Sequence, residues 1–410
     1  MKGEIALHEH ENHDEGFMRT KKIKDGVFWM GAVDWDRRLF DSLVPLPDGT
    51  TYNAYLVEGS EKTALIDAVD PDMVDTLLGH LEGVEKLDYI VSQHAEQDHS
   101  GTIALVLDLY PEAMVVTSAK AKPMLMDLLL ISEEKFIVVG DGDTLPLGGK
   151  TLKFILTPWV HWPETMSTYL AEDKILFSCD FFGSHIATSD LFVRDQGRVH
   201  EAAKRYFGEI MMPFRGMIAK NLEKLAPYDI AMIAPSHGQI YDSPGWIVDA
   251  YKDWVSGAAH NLVALPFVSM HGSTRLMVDH LTAALSEREV RVELFNLAVT
   301  DIGKLAMSLV DAGTIVLGTP TVLTGPHPLA AYAAFLANAL RPKAKYLSIV
   351  GSYGWGGKTV ETLAGMIPNL KVEVLDPVLC KGLPKEDTFE ALDRLADAIA
   401  AKHRESGFQA

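Results

Sequence analysis

The stretch Ser92-Gln93-His94-Ala95-Glu96-Gln97-Asp98-His99-Ser100-Gly101 decides how the amino-terminal part of the chain is read. It closes the strand-like run KLDYIVSQH (Lys86–His94) and leads into a helical run, IALVLDLY (Ile103–Tyr110). Four metal-binding side chains, His94, Glu96, Asp98 and His99, fall within six positions at a strand end, where a loop can aim them into one space. Alternate residues His94, Glu96 and Asp98 are expected to face one cavity, with His99 turning beside Asp98. That grouping suits two neighbouring metals better than one.

Later strand ends supply further ligands. His161 follows KTLKFILTP (Lys150–Pro158), Asp180 tips KILFSCD, and His237 tips IAMIAPSHG. Rigid strands that deliver His or Asp at their ends are how metal sites are built precisely. A lone histidine in such a place is ordinarily hydrogen-bonded packing; seven residues in this order favour metal binding.

The same region is dense in short apolar, β-branched runs: TYNAYLVEG (Thr51–Gly59), TALIDAV (Thr63–Val69) and AMVVTSA (Ala113–Ala119). Turn residues such as Gly148-Gly149 separate strands, and helical periodicity appears between them. Two sheets covered by helices are expected. From about Leu262 the texture becomes a strict alternation. Strands are expected at Leu262–Met270, Val290–Ala298, Thr314–Pro320, Lys345–Gly354 and Leu370–Asp376, with helices between them, including Thr274–Glu289, and Phe389–His403 at the end. Five strands with intervening helices describe an open, doubly wound parallel sheet.

Three loops of that second region are expected to leave the carboxyl ends of neighbouring strands, where such a sheet binds its ligand. The first holds Ser269, Met270, His271, Gly272, Ser273 and Thr274, whose backbone N–H groups and hydroxyls suit a phosphate at a helix start. The second holds Pro320, Thr321, Val322, Leu323, Thr324 and Gly325; the third holds Ser352, Tyr353, Gly354, Trp355 and Gly356. The phosphate loop lacks GxGxxG spacing, which favours a mononucleotide. Tyr353 and Trp355 offer flat faces for an isoalloxazine ring, so this half resembles a short-chain flavodoxin with FMN.

Bulk composition narrows the function. With 410 residues, 48% of them hydrophobic, the chain can bury two or more cores. The net charge of -19 repels nucleic acid. No run reaches the roughly 18 apolar residues of a membrane span, and the start, Met1 to Lys24, has no apolar run of a signal peptide. A cytoplasmic protein, off the membrane, is expected. The two cysteines, Cys179 and Cys380, are too few for a disulfide framework or an iron–sulfur site. Neither belongs to a Cys-x-x-Cys pair, so no fused rubredoxin module is expected, and any electron donor is expected to be separate.

The histidine–carboxylate order resembles the metallo-β-lactamase motif H-x-H-x-D-H followed by distant His, Asp and His, with Glu96 in place of the middle histidine. An added anionic oxygen ligand suits iron better than a histidine-richer zinc set. With the flavodoxin-like half, the chain is similar to the flavodiiron proteins, or A-type flavoproteins. GTTYNAYLVEG (Gly49–Gly59) and HWPETM (His161–Met166) also follow the family, with Glu164-Thr165 where many members have Asp-Ser, a mild change among the residues that support the ligands, from which no consequence is derived. The resemblance implies an α/β chain in which an N-terminal metallo-β-lactamase-like αββα sandwich (25–260) is followed by a flavodoxin-like doubly wound five-stranded parallel sheet (261–410), after a tail of residues 1–24.

It also implies two non-haem iron ions, one on His94, Glu96 and His161, the other on Asp98, His99 and His237, with Asp180 bridging. His99 stands apart, because an adjacent ligand can turn away and leave its place to water. The implied activity is reduction of dioxygen to water, nitric oxide to nitrous oxide, or both. Electrons would pass through FMN from rubredoxin, a reduced deazaflavin coenzyme or a flavin reductase. A head-to-tail homodimer or a dimer of dimers is implied as well. Two rivals stand beside this: a zinc hydrolase with an appended flavodoxin domain, against which Glu96 argues, and an electron carrier with a structural first half. Set aside are His8, His10 and His13 as a solvated tail, Cys179 as packing on the far face of its strand, and His185 as packing or support for the metal ligands.

Overall fold

The computed structural model describes residues 21–408, so His8, His10 and His13 lie outside the described residues. In the first half two sheets pack face to face. One runs Lys21–Lys24, Val27–Trp29, Tyr55–Glu58, Thr63–Ile66, Tyr89–Val91, Met114–Ser118, Phe136–Val139. The other runs Thr144–Pro146, Thr151–Leu156, Met166–Leu170, Ile175–Cys179, Met232–Pro235.

Side-chain alternation separates the layers. Tyr55, Val57, Ala64 and Ile66 meet Phe154, Ile175 and Phe177 between the sheets. Their neighbours Leu56 and Leu65, directly paired across the strands, turn outward onto a second core containing Leu77, Ile103, Val106 and Leu125. Those residues lie on helices Val74–Leu81, Ile103–Leu109 and Ala121–Leu129. A one-residue slip would exchange the two faces, which fixes the register. Helices Gln196–Tyr206, Arg215–Leu225 and Gly245–Val255 cover the second sheet through Val199, Ile218, Leu222 and Ile247. The result is an αββα sandwich.

The main strands of the third sheet are all parallel, in the order Arg291–Asn296, His260–Phe267, Ala312–Val322, Tyr346–Tyr353, with the last place shared by Glu373–Val374 and Val378–Lys381; the two-residue strand Gly325–Pro326 folds back antiparallel on Ala312–Val322. Its central strands, His260–Phe267 and Ala312–Val322, read as near-continuous apolar runs because both faces are buried. Val263 and Leu265 face helices Ser273–Glu287 and Glu386–Glu405, while Leu262 and Ala264 face the side that carries Ile302–Leu309 and Pro328–Leu340. That second core is continuous with Tyr206, Phe207 and Met211 of the first half.

Two details differ from expectation. Lys21–Lys24, placed in the tail, form a strand antiparallel to Val27–Trp29. The single strand expected at Leu370–Asp376 is broken in two around Asp376-Pro377, because proline has no N–H for the ladder. The second piece, Val378–Lys381, delivers Gly382 to the ligand end of the sheet. Among the described residues no helix is long and apolar enough to cross a membrane.

Candidate metal centre and mononucleotide cavity

The seven expected ligands converge. Glu96 is extended and precedes the four-residue helix Gln97–Ser100, so Asp98 and His99 sit on one turn while Glu96 reaches back toward His94. The nitrogen and oxygen atoms of His94, Glu96, His161 and Asp180 lie within 4.8 Å of one another, as do those of Asp98, His99 and His237. Asp180 stands between the two groups. Its Oδ2 is 3.5 Å from both His94 Nε2 and His161 Nε2, and its Oδ1 is 3.1 Å from His99 Nε2 and 3.4 Å from His237 Nε2. His99 points into the cluster, with Nε2 also 3.3 Å from Asp98 Oδ2.

These approaches are short, yet Asp98 Oδ1 and Oδ2, Asp180 Oδ1 and Oδ2, and His99 Nε2 are buried without a hydrogen-bond partner. Buried polar atoms normally have partners. Five orphaned donor atoms aimed at two common points fit a pair of cations, and an oxygen- and imidazole-rich set fits iron. The charge pattern agrees. Burial opposes charge on His99, but Asp98 and Asp180 hold its pKa up at about 10. Burial likewise opposes charge on Asp180, which His99, His94 and His237 nevertheless keep well below the carboxylate range. The positive charge that these carboxylates favour on His99 is charge that a metal ion would supply in its place.

The ligands are aimed by a surrounding frame. His237 Nδ1 is 2.7 Å from the carbonyl of Thr51, so its Nδ1–H donates there and Nε2 faces the cluster. Gly238 follows with φ +84°, and a Cβ there would meet Ser184 Oγ at 2.1 Å. Buried Asp67 accepts from the Gln93 N–H at 2.8 Å and from Ser236 Oγ at 3.1 Å, tying the loops that carry His94 and His237.

Of three residues beside the ligand set, Cys179 alone departs from expectation. Glu164 supports a ligand, as expected of its place: its Oε1 accepts from His94 Nδ1 at 2.7 Å and from the Ala95 N–H at 3.1 Å. Cys179 does not face away from the centre, because its φ of +55° and a register shift against Pro235 break the alternation. Its sulfur comes within 4.8 Å of donor atoms of Asp67 and His99, and burial pushes the thiol up, so it keeps its proton. His185 belongs to neither ligand group; its Nδ1 lies 2.8 Å from Thr50 Oγ1 and its ring packs 4.8 Å from that of His237. Asp41, which no motif or pattern singles out, holds φ +49° near Glu96, and burial followed by Glu96 and Asp98 raises its pKa.

At the carboxyl ends of the third sheet a cavity of about 460 Å³ opens. Ser269, Met270, His271, Ser273, Thr274, Pro320, Thr321, Val322, Leu323, Thr324, Ser352, Tyr353, Gly354 and Trp355 line it, as does Gly382. Gly272, Gly325 and Gly356 shape the loops without lining it. Gly272 has φ +91° at the start of helix Ser273–Glu287 and supplies no side-chain cap, while Ser269 Oγ accepts from the Arg275 N–H at 3.2 Å. Thr274 Oγ1 and Ser352 Oγ, 3.1 Å apart, join two of the loops.

A metallo-β-lactamase-like sandwich bearing this cluster, joined to a flavodoxin-like sheet, defines a two-domain oxidoreductase. Comparison with known proteins agrees. The ODP family beta lactamase matches residues 50–238. The coenzyme F420H(2) oxidase of Methanothermobacter marburgensis is 33% identical over 94% of this chain and 99% of its own. The nitric oxide reductase of Moorella thermoacetica is 34% identical over 93% and 98%. The solved rubredoxin oxygen:oxidoreductase of Desulfovibrio gigas superposes with a TM-score of 0.91 at 30% identity, covering 95% of this chain and 99% of that one. The chain belongs to the flavodiiron family, the type A flavoproteins.

Proposed function

We propose that this chain reduces dioxygen, nitric oxide or both at a pair of non-haem iron ions, with FMN relaying electrons from a separate donor. The observation that carries the reading is Asp180, which turns one oxygen to each of two histidine–carboxylate groups. His94, Glu96 and His161 would hold one iron, Asp98, His99 and His237 the other, and Asp180 both. The irons would supply gas binding and electron transfer to the gas, and FMN would supply the electrons.

The chain's own residues do the rest. Thr51 and Glu164 hold His237 and His94 with Nε2 toward the cluster. Burial of all seven side chains but His161, whose ring is slightly exposed, keeps bulk water out. Both reactions consume protons, and the raised Asp41 carboxyl beside Glu96 is placed to hold one at its oxygen. The first N–H groups of Ser273–Glu287 would take the FMN phosphate, with Tyr353 and Trp355 beside the ring.

The division into residues 25–260 and 261–410 is part of the reading, supported by strand His260–Phe267 opening the third sheet. So is a cytoplasmic head-to-tail homodimer. Leu323 and Trp355 at the cavity mouth, and Leu39 and Leu43 flanking Asp41, are exposed apolar side chains that such packing would cover. Coenzyme F420H(2) and rubredoxin, named for the relatives, are the donor classes to try first. The test is metal and flavin content per chain together with anaerobic gas consumption by reduced enzyme. Two irons, one FMN and turnover of either gas support the reading. Zinc in place of iron, with hydrolase activity, overturns it.

A further inference from the structure

Acidic residues outnumber basic ones 56 to 37 in this chain, yet a concave cavity of about 770 Å³ is lined by five cations and no carboxylate. The cations are Arg215, Arg341, Lys343, Lys345 and Lys371. They come from separate parts of the sequence. Arg215 begins helix Arg215–Leu225 of the first half, while Arg341–Lys345 connect Pro328–Leu340 to strand Tyr346–Tyr353. Val255, Ser256 and Gly257, just ahead of the third sheet, complete the wall. The cavity sits at the amino end of Tyr346–Tyr353, opposite the mononucleotide cavity, and shares no residue with that cavity or the metal cluster.

Among the described residues, Arg215, Arg341, Lys345 and Lys371 have no carboxylate at ion-pair distance. The Lys343 side chain is only 2% exposed; its ammonium lies 3.8 Å from Asp311 Oδ1 and donates to the Asp253 carbonyl at 3.5 Å, so the four other cations are the ones left without a carboxylate partner. Arg215 donates to the carbonyl of Arg341 at 3.0 Å, which joins the two halves across the cavity. Arg341 itself holds φ +50° at the end of Pro328–Leu340, where glycine is the usual residue. A long cationic side chain kept at a left-handed position calls for a function. Burial alone depresses the pKa of Arg215, a cost that a bound anion would offset; burial also depresses that of Lys343, where Asp311 and Asp253 already oppose it.

Uncompensated cations in a concavity focus positive potential, and guanidinium forks match phosphate oxygens. We infer that this cavity binds a small polyanion carrying two or more phosphate-like groups, and that the anion ties the two halves of the chain together. A small ligand fits better than an acidic protein, because the cations line a concavity in which Arg215 is half-buried, and the volume is that of a small-molecule site.

The test is calorimetric titration of the iron- and FMN-loaded protein with inorganic triphosphate, so that the FMN phosphate site is already filled. The double variant Arg341→Gly, Lys371→Gln should bind at least tenfold more weakly. Its own melting temperature should be unchanged or higher, since glycine relaxes the left-handed position. Triphosphate should raise the melting temperature of the wild type and not of the variant. The exposed single change Lys371→Gln should show a smaller loss in the same direction. Equal binding by wild type and variants, as would follow if triphosphate acted on the metal centre, overturns the inference, and so does absence of binding by the wild type.

Discussion

His94 Nδ1 and Glu164 Oε1 lie 2.7 Å apart in a fully buried contact, with the opposite ring nitrogen of His94 directed at Glu96 and Asp180. The carboxylate fixes the tautomer of the ring and raises its basicity as a ligand. Glu164→Ala should therefore lower iron affinity by roughly 10- to 100-fold, read as iron lost to a competing chelator. Glu164→Gln keeps an acceptor and removes the charge, so its loss should be intermediate. Wild-type retention in both variants would reduce Glu164 to packing.

Glu96 is the departure from a zinc-type ligand order. Glu96→His should shift the metal content of protein purified from one medium, so that zinc exceeds iron, because the hard anionic oxygen is gone. Elemental analysis reads this directly. An unchanged iron content would mean that Glu96 does not select the metal.

Gly272 tests the mononucleotide cavity. A Cβ at this position meets nothing within 4 Å, so only its φ of +91° resists substitution. That conformation costs an alanine about 1 kcal/mol or more, and Gly272→Ala should weaken FMN binding about five- to tenfold. Fluorescence titration of the apoprotein measures it.

Glu209 predicts a pH dependence. Burial pushes its carboxyl up to about 8 from an ordinary 4.5, Asp301 adds to the rise, and Arg205 opposes it. The folded state therefore binds a proton that the unfolded state has released, and stability falls as pH rises from about 4.5 to about 8. The effect is on the order of a few kcal/mol at most. Melting temperatures of Glu209→Gln across that window should be flatter than those of the wild type; parallel curves would contradict the assignment.

Much of this was legible in the sequence, and the reason is physical. The ligands end apolar strands, so hydrophobic pattern and chemistry mark the same points: His94, Asp180 and His237 each close a run that forms a strand. The parallel sheet was equally plain, because both faces of His260–Phe267 and Ala312–Val322 are buried. What stayed hidden depends on backbone detail or on distant partners. The turn of Cys179 toward the centre rests on one positive φ, and the ligand that Glu164 supports on a contact across 70 residues. The cationic cavity gathers Arg215, Arg341 and Lys371, which no local window contains.

The central claim is that electrons leave the flavin for a gas held at the Asp180 cluster. The most direct measurement is stopped-flow reoxidation of the reduced flavin on mixing with nitric oxide, comparing wild type with Asp180→Ala loaded with FMN. The account predicts rapid reoxidation in the wild type and a loss of about a hundredfold or more in the variant, since the residue shared by both metal positions is gone. Equal rates in the two proteins would contradict it, placing the reaction at the flavin.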